Sequence, residues 1–437
     1  MTEPKVPIAT ISLVDDYCNL YSDLFPEVRT FENFKYLHVG MISDIKRKSL
    51  PAISRVVGLH DAQPLQNFLT ESPWQVKDLR QRRLDLTSDW LAGRPFKLVI
   101  DDSGDRKKGN HTDYVARQYI GNIGKVENGI VSVNAYGVIE DVTFPLLFKI
   151  FKPRSTLKSG DKYKTKPELA VEIIKEVLAL NFKIELVLAD SIYGESPTFV
   201  EALNQLKLSY ILSVKSNHVD WLKSNEGVTY GEWQKISRIF TNGEIERRYI
   251  QEIKVGIQPV TYWRLTTDTE KLPANKTRYL MTNIRGNIEP MLGNKYGFRN
   301  WIEYAYKQAK NELGWADFRV TDYKQIEKWW EIVMSAYFMV SQQTLYRLPN
   351  TAPEESLKAE ELEVPEPANY KQHKWWDFEI NWKSTLKNIR LITQAFILFN
   401  LIKPWLKVFD IPSLREGFLE LIEILNDFRG YIPIDSG

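Results

Sequence analysis

From residue 96 onward, short runs of apolar residues, either continuous or alternating with polar ones, are typical of β-strands. Turns that contain glycine separate these runs. The predicted strands are residues 97–101, 114–120, 129–138 and 142–151. Consecutive strands with short connections usually pair with one another, so this pattern predicts an antiparallel meander.

An alternation of helices and strands follows the meander. Its elements are a helix over residues 167–180, a strand over 183–189, a helix over 197–206 and a strand over 210–214. The first helix has a clear start, because Thr165 precedes a proline and Glu168 lies in the first turn. The first of these strands ends on Asp190. Strand, helix, strand order implies parallel pairing of the two strands.

Outside this core the pattern changes. Residues 216–290 contain short runs of mixed polarity, typical of half-buried antiparallel strands, and predict a β-rich insertion. Residues 349–367 are acidic, contain four prolines and predict a linker. Helical segments are predicted at residues 33–43, 76–91, 326–345 and 380–430. The chain is therefore expected to be an α/β protein with a mixed sheet, a β-rich insertion and helical regions at both ends.

The composition of the chain excludes several classes of protein and of site. The 437 residues, with 43% hydrophobic and 26% charged, are typical of a globular protein of roughly two or three domains. The single cysteine, Cys18, excludes an internal disulfide framework and a thiolate zinc cluster. The N-terminus does not resemble a signal peptide, and the apolar stretch 391–402 is too short and polar to span a bilayer. A cytoplasmic location is expected.

The net charge of +2 conceals local clusters of basic residues. Residues 149–166 contain seven basic residues against one acid. Arg106, Lys107 and Lys108 follow the first predicted strand directly. Clustered cations, rather than net charge, indicate a nucleic-acid surface, and a solvated loop is the alternative for each run.

Three carboxylates occupy informative places. Asp101 and Asp190 each end a predicted buried strand, and Glu303 lies on a later helix. Because the carboxyl ends of adjacent strands converge on one edge of an α/β sheet, these acids are expected to meet there. Three carboxylates would hold two divalent ions about 4 Å apart, and oxygen ligands favour Mg²⁺ or Mn²⁺. A turn residue or helix cap is the alternative for each aspartate, and a surface ion pair for the glutamate.

The predicted helix that bears Glu303 carries a wider constellation. Tyr296, Arg299, Glu303 and Lys310 form the pattern Tyr-x2-Arg-x3-Glu-x6-Lys. On an α-helix that turns about 100° per residue, these four side chains fall within about 60° of one another. A carboxylate, two cations and a phenol on one stripe suit a metal ion together with phosphate groups.

In order and in motif, these residues resemble the DDE transposases of bacterial insertion sequences, which have a ribonuclease H-like catalytic core. The resemblance covers roughly residues 95–345 and includes the four-residue pattern above. The other motifs that carry it are Ile100-Asp-Asp-Ser-Gly-Asp-Arg-Lys-Lys-Gly109, Val115-Ala-Arg-Gln-Tyr119, Ala189-Asp-Ser-Ile-Tyr-Gly194 and Ala309-Lys-Asn-Glu-Leu-Gly314. Ile192 departs from the small residue or glycine that relatives often have at that position.

The resemblance implies a catalytic and metal-binding triad of Asp101, Asp190 and Glu303. The pattern Asp-x-Ser/Thr after the strand favours Asp101 over Asp102, which stays an alternative for the first ligand. Glu312 is a rival for the third acid, and the four-residue pattern selects Glu303 instead.

The resemblance also implies DNA contacts. Tyr296, Arg299 and Lys310 would bind phosphates near the cleaved end. The further DNA-binding candidates are Tyr193, Arg106, Lys107, Lys108 and Trp263. Trp263, or else Trp233, would stack on a flipped base, with core packing as the alternative reading of each.

The implied activity is cut-and-paste transposition by two-metal hydrolysis and transesterification through a hairpin intermediate. The implied partners are double-stranded DNA, namely terminal inverted repeats and target DNA, and a second copy of the chain in a DNA-bound homodimer at the nucleoid. The alternatives are a domesticated DNA-binding protein and a ribonuclease H-like nuclease without strand transfer.

The corresponding division of the chain has five parts. They are a helical DNA-binding domain (1–92), the first part of a ribonuclease H-like core (93–215), a β-rich insertion (216–290), a second core part with the catalytic glutamate helix (291–346), and an acidic linker with C-terminal helices (347–437).

Overall fold

The computed structural model describes most of the chain, including the strands that carry Asp101 and precede Asp190. The described residues are 6–109, 111–121, 123–218, 228–239, 245–255, 260–285, 304–346 and 368–428. The chain forms two compact units. The helical unit comprises Met1–Ala92, Glu140–Val142 and Lys307–Gly437, and the sheet unit comprises Gly93–Ile139 and Thr143–Tyr306.

The strands are β1 Phe96–Arg106, β2 Ala116–Ile120, β3 Lys125–Ile139, β4 Val142–Ile150, β5 Ile184–Ala189, β6 Tyr210–Val214, β7 Val228–Tyr230, β8 Gln234–Ile239, β9 Ile245–Val255, β10 Thr261–Thr266 and β11 Arg278–Thr282. The helices are α1 Ser12–Asn19, α2 Val28–Ile42, α3 Leu50–Val56, α4 Gln63–Thr70, α5 Val76–Leu91, α6 Lys166–Ala179, α7 Ser191–Gly194, α8 Pro197–Gln205, α9 Tyr323–Tyr346, α10 Ala368–Lys371, α11 Trp382–Leu406 and α12 Pro412–Asn426.

One mixed sheet contains the eleven described strands. Its order is β2-β3-β1-β5-β6-β11-β10-β9-β7, with β4 paired to β3 and β8 paired to β9. Strands β1, β5 and β6 run parallel, whereas β1 with β3 and β6 with β11 are antiparallel. The predicted α/β class with a mixed sheet and helical end regions is confirmed. Strands β7 to β11, predicted as an insertion, extend the sheet from β6 rather than forming a sheet of their own.

The first core strand is longer than its sequence indicated. The prediction that this strand ends at Asp101 is wrong, because β1 continues to Arg106 and pairs with β3 from Lys97↔Val138 to Arg106↔Gly129. The polar stretch after Asp101 resembled a turn. Its backbone groups are instead satisfied by β3, and Ser103 and Asp105 are buried.

Helix α6 provides the crossover from the meander to β5. Thr165 accepts a hydrogen bond from the Glu168 backbone N–H, and the Glu168 carboxylate accepts one from the Thr165 backbone N–H, which forms a complete capping box. Lys166 and Pro167 occupy the first turn, as predicted from the sequence. The capped start fixes where α6 leaves the preceding loop.

The helical unit contains the first five helices together with those that follow residue 307. Its core includes a buried ion pair between Arg83 on α5 and Glu331 on α9, with 2.6 Å between Nε and Oε1 and both side chains fully buried. Arg80 also donates to Glu331, at 3.0 Å. The boundary between Tyr306 and Lys307 falls inside the segment 291–346, which the sequence suggested as one part.

One described helix, α11, has the length and apolar composition that a membrane crossing would require. It extends beyond the apolar stretch 391–402, and 33% of its most apolar window is buried. A single helix of this kind is weak evidence for a membrane, because a core helix meets the same criteria.

We predict that Glu331→Gln destabilises the helical unit by about 3–5 kcal/mol, because it removes the negative charge that pairs with the buried Arg83 guanidinium. Urea unfolding of the full chain measures this loss. The matched control is Asp23→Asn, which breaks the exposed Arg82–Asp23 pair and should cost under about 1 kcal/mol. Equal losses in the two variants would contradict the prediction.

Candidate active site

The parallel pairing of β1 with β5 places two predicted acids side by side. The last paired residues are Ile100 and Ala189, so Asp101 and Asp190 come next on the two strands. Neighbouring strands lie about 4.8 Å apart, so the two aspartates occupy adjacent positions where β5 ends beside the continuing strand β1. Asp101 and Asp190 are therefore neighbours in the sheet, while the meeting of three acids stays a prediction, because Glu303 lies outside the described residues.

Asp190 is held by the short helix that follows it. It is the N-cap of α7, and its Oδ1 accepts a hydrogen bond from the Ile192 backbone N–H at 2.9 Å. The alternative reading of Asp190 as a helix cap is thus also true. The cap and the position at the end of β5 coexist, since the same hydrogen bond fixes the orientation of the carboxylate beside Asp101.

Asp101 and Asp102 have different surroundings. Consecutive strand residues point to opposite faces of a sheet. Asp102 Oδ2 pairs with the Lys166 ammonium at 2.8 Å, with side-chain exposures of 12% and 18%. Asp101 Oδ1 accepts from the Asp102 backbone N–H at 2.8 Å. The second aspartate is therefore engaged by a cation from α6.

Tyr193 on α7 is buried, and the charges of three aspartates act on its hydroxyl. Burial, followed by the charges of Asp102, Asp101 and Asp190, raises its pKa well above the ordinary value. Its hydroxyl is buried and has no hydrogen-bond partner among the described residues. A buried polar atom next to carboxylates is typical of a place where a further polar group binds.

Tyr306 was missed by the sequence analysis. Its hydroxyl donates to the Asp101 carbonyl oxygen at 3.0 Å, and its ring meets Tyr136 edge to face with 5.9 Å between centroids. Burial and the charge of Asp101 raise the pKa of Tyr306 well above the ordinary value. The available signal was the spacing, because Tyr306 lies three residues after Glu303 and so on the same helical stripe.

Three members of the predicted stripe, Tyr296, Arg299 and Glu303, lie outside the described residues. The fourth, Lys310, lies in a π-helix over Gln308–Glu312, where the Leu313 N–H donates to the Gln308 carbonyl oxygen at 3.2 Å. The α-helical step of 100° per residue does not hold through a π-helix. The predicted alignment of Lys310 with the other three residues therefore cannot be derived from α-helix geometry.

Glu312, the rival third acid, has a partner within the helical unit. Its Oε2 pairs with the Arg390 guanidinium on α11 at 2.8 Å. Arg390 also donates to the Ile42 carbonyl oxygen at 2.8 Å. Glu312 thus anchors the end of the π-helix to α11.

The predicted DNA contacts of the sheet unit differ in accessibility. Arg106 and Lys108 are exposed at the end of β1, and Lys107 is half-buried. Arg106 lies 3.6 Å from Glu127. Trp263 is only 3% exposed and its indole N–H donates to Thr261, so the prediction that its ring is available for stacking is wrong and core packing on β10 prevails.

The basic tract of residues 149–166 is largely neutralised. Five of its lysines have acidic partners within 4 Å: Lys149 with Glu176, Lys152 with Asp161, Lys158 with Asp113, Lys164 with Glu172, and Lys166 with Asp102. The Lys152 ammonium is the largest cause that lowers the pKa of Asp161 to about 2. This tract is therefore an ion-pair network rather than a bare cationic surface.

The donor chemistry of the site suits a divalent metal. Asp101 and Asp190 supply carboxylate oxygens from adjacent strands, and burial together with their charges raises the pKa of Tyr193. Oxygen-only ligands are those that Mg²⁺ and Mn²⁺ prefer. Within the described residues no group of three or more Asp, Glu, His or Cys forms a complete metal site, and Glu303 is outside that part of the chain.

We predict that Gly194→Ala destabilises the sheet unit by about 1–3 kcal/mol or more through overpacking. A Cβ on Gly194 would lie 2.1 Å from the Ser213 carbonyl oxygen, so α7 would have to move away from β6. Thermal unfolding and amide hydrogen exchange across α7 measure the effect. Gly109→Ala is the control, because a Cβ there has no neighbour within 4 Å; an unchanged midpoint for Gly194→Ala would refute the close-approach argument.

Comparison with known proteins identifies the family of the chain. A family model described as "DDE superfamily endonuclease" matches residues 22–236, and one described as "Transposase DDE domain" matches residues 160–339. The chain is 51% identical over 329 residues to the "Probable transposase for insertion sequence element IS701" of Microchaete diplosiphon, which covers 75% of this chain and 87% of that protein. The chain therefore belongs to the DDE transposases of insertion sequences, metal-dependent enzymes that cleave and transpose DNA.

Proposed function

We propose that this transposase uses Asp101, Asp190 and Glu303 to bind two divalent ions, Mg²⁺ or Mn²⁺, at which it cleaves the ends of its insertion sequence and joins them to target DNA. The observation that carries the proposal is the β1–β5 register, which ends at Ile100↔Ala189 and so puts two of the acids next to each other. The bound ions would activate the attacking water or 3′-hydroxyl and stabilise the leaving oxygen.

Asp101 is the first ligand in this proposal. Asp102 is already paired with Lys166 at 2.8 Å, and a carboxylate engaged by a cation gains less from a metal ion. In this arrangement Lys166 fixes Asp102, and the Asp102 backbone N–H in turn orients the Asp101 carboxylate at 2.8 Å. Asp102 therefore acts as a positioning residue.

Glu303 is the third ligand. Its support is the hydrogen bond from Tyr306 to the Asp101 carbonyl oxygen, because three residues of chain span at most about 10 Å. The chain therefore passes close to Asp101 shortly after Glu303. Glu312 is unsuited to the role, since its carboxylate pairs with Arg390.

The remaining side chains bind and orient DNA. Tyr296, Arg299 and Lys310 would hold phosphates near the cleaved end, with Arg106, Lys107 and Lys108 at the end of β1 as further phosphate contacts. Because these contacts go to phosphates, they position the substrate without reading its sequence. The Tyr193 hydroxyl would donate to an oxygen bound between the aspartates.

The reaction would proceed through a hairpin. Hydrolysis nicks one strand at the transposon end, and the freed 3′-hydroxyl attacks the opposite strand, expelling the flanking DNA and closing a hairpin on the end. A flipped base at the hairpin needs an aromatic platform, and Trp233, half-buried with its ring 4.8 Å from the Arg264 guanidinium, stays a candidate.

The DNA partners would be terminal inverted repeats and target DNA, bound at the nucleoid in the cytoplasm. The helical region of residues 1–92 would read the repeats, and two copies of the chain would pair around two ends. Among the alternatives, a nuclease without strand transfer would cleave end-bearing DNA and leave no joined products. A domesticated DNA-binding protein would bind ends and cleave nothing.

We predict that Asp190→Ala abolishes Mg²⁺-dependent cleavage of end-bearing DNA and leaves end binding intact. The loss should exceed the roughly 100-fold that removal of an outer partner of a metal ligand costs. Asp101→Asn should cause a similar loss, and Asp102→Asn a loss of no more than about 10- to 100-fold. A cleavage assay with a parallel band-shift assay measures both properties. Retained cleavage by Asp190→Ala would contradict the assignment of the triad. A larger loss of cleavage in Asp102→Asn than in Asp101→Asn would assign the ligand role to Asp102.

We predict a covalently closed hairpin at the transposon end. An end-labelled duplex incubated with the full chain and Mg²⁺ should yield a strand of about twice the end length on a denaturing gel. Asp190→Ala should yield none. Cleavage that gives only open ends would contradict the hairpin and leave the metal-ligand assignment untouched.

A further inference from the structure

A polar cleft of about 690 Å³ opens beside Asp190 within the sheet unit. It lies where β6 ends and β11 begins, on the side of Asp190 away from Asp101 in the strand order. The side chains of interest in its lining are Ser213, Lys215, Ser216, Asn217, Thr277 and Arg278. Apart from Asp190 itself, no acid lines this cleft in the described part of the chain.

Two cations face each other at the rim of the cleft. The antiparallel register of β6 and β11 pairs Leu280 with Ser213 and Tyr279 with Val214. One further step of this register places Arg278 opposite Lys215. Like charges on directly opposite residues of paired strands destabilise a sheet. An anion bound between Lys215 and Arg278 would offset this repulsion.

These two cations have no counter-charge in the part of the chain that the structure describes. Glu195 accepts from the Lys215 backbone N–H at 2.7 Å, and its other oxygen pairs with His218 at 3.2 Å. Within the described part of the chain, Arg278 donates to the Thr277 carbonyl oxygen, at 3.2 Å. Lys215 and Arg278 are both exposed. Their lack of an acidic partner within the described residues distinguishes Lys215 and Arg278 from the paired lysines of residues 149–166.

The lining supplies the donors that a phosphodiester requires. Ser216, Asn217 and Thr277, whose side chains carry hydroxyl or amide groups, line the same cleft. Phosphate oxygens in protein–DNA complexes are bound mainly by Arg, Lys, Ser, Thr and Asn. A site made of such donors next to a metal-binding carboxylate would accept a charged, oxygen-rich strand rather than an apolar ligand.

We propose that this cleft is a subsite for the sugar–phosphate backbone of DNA, with Lys215 and Arg278 holding a phosphate next to the one that reacts at Asp190. The proposal rests on the proposed function, because Asp190 marks the reaction centre. It adds a binding surface that the four-residue helical pattern does not contain. Its ligand is a backbone phosphate, which either the transposon end or target DNA would supply.

The experiment measures the salt dependence of DNA binding. Asp190→Ala in the full chain prevents cleavage, and its affinity for an end-bearing duplex is measured without metal between 50 and 200 mM NaCl, the range in which phosphate contacts dominate. Adding Lys215→Gln or Arg278→Gln should reduce the slope of log K against log salt by about one each, and the pair by about two. Affinity should fall alike for all sequences.

The matched control is Lys276→Gln. Lys276 is exposed, lies in the connection between β10 and β11, and does not line the cleft. It should leave the slope unchanged. Arg278→Lys should keep the slope, which separates lost charge from misfolding. A second assay uses the same variants already bound to an end-bearing duplex. It measures the salt dependence with which these complexes bind a second duplex of unrelated sequence. A slope change in the first assay assigns the subsite to the transposon end, and one in the second assigns it to target DNA.

Unchanged slopes in both assays would overturn the proposal. This outcome is distinct from failure of the proposed function, because binding is measured without metal or cleavage. If Asp190→Ala kept cleavage activity, the metal-ligand assignment would fail while the slopes still reported whether the cleft binds phosphate.

Discussion

The parallel pairing of β1 with β5 is the constraint on which the candidate site depends. The side-chain period of a strand is two residues, so a shift of one residue would turn Asp101 to the opposite face of the sheet. The register is fixed by apolar residues that are buried in both strands, among them Leu98 and Ile100 in β1 and Leu186 and Leu188 in β5. The core therefore determines the geometry of the carboxylates, although it contains none of them.

Much of this arrangement follows from local patterns. The buried run before Asp190, the capped start of α6 and the βαβ order are short-range signals, and they predict parallel strands with acids at one edge. The extension of β1 is a long-range effect. Residues 102–105 are polar or glycine, and only pairing with β3 makes them a strand. Propensity cannot report a partner that lies about 30 residues away in sequence.

The segment after Glu303 shows a second limit. Side chains stay aligned along an α-helix only where each residue turns by the same angle, and a π-helix changes that angle. The π-helix Gln308–Glu312 is held by tertiary contacts: Tyr337 donates to the Gln308 side chain, and Arg390 pairs with Glu312. These partners lie tens of residues downstream. The spacing of Lys310 in the sequence matches the family pattern. The direction of its side chain depends on tertiary packing, which the spacing of residues along the sequence does not predict.

Clusters of basic residues along the sequence do not correspond to clusters of unpaired positive charge in the structure. The lysines of residues 149–166 are dense along the chain, yet five of them have carboxylates within 4 Å, so little net field is left around them. Lys215 and Arg278 are 63 residues apart and form no run in the sequence. Antiparallel pairing brings them together, and within the described residues neither side chain forms an ion pair with an acid. Because the field at a polyanion depends on uncompensated charge, the paired lysines of the basic tract contribute less than their number suggests, and Lys215 and Arg278 are the cations of the proposed subsite.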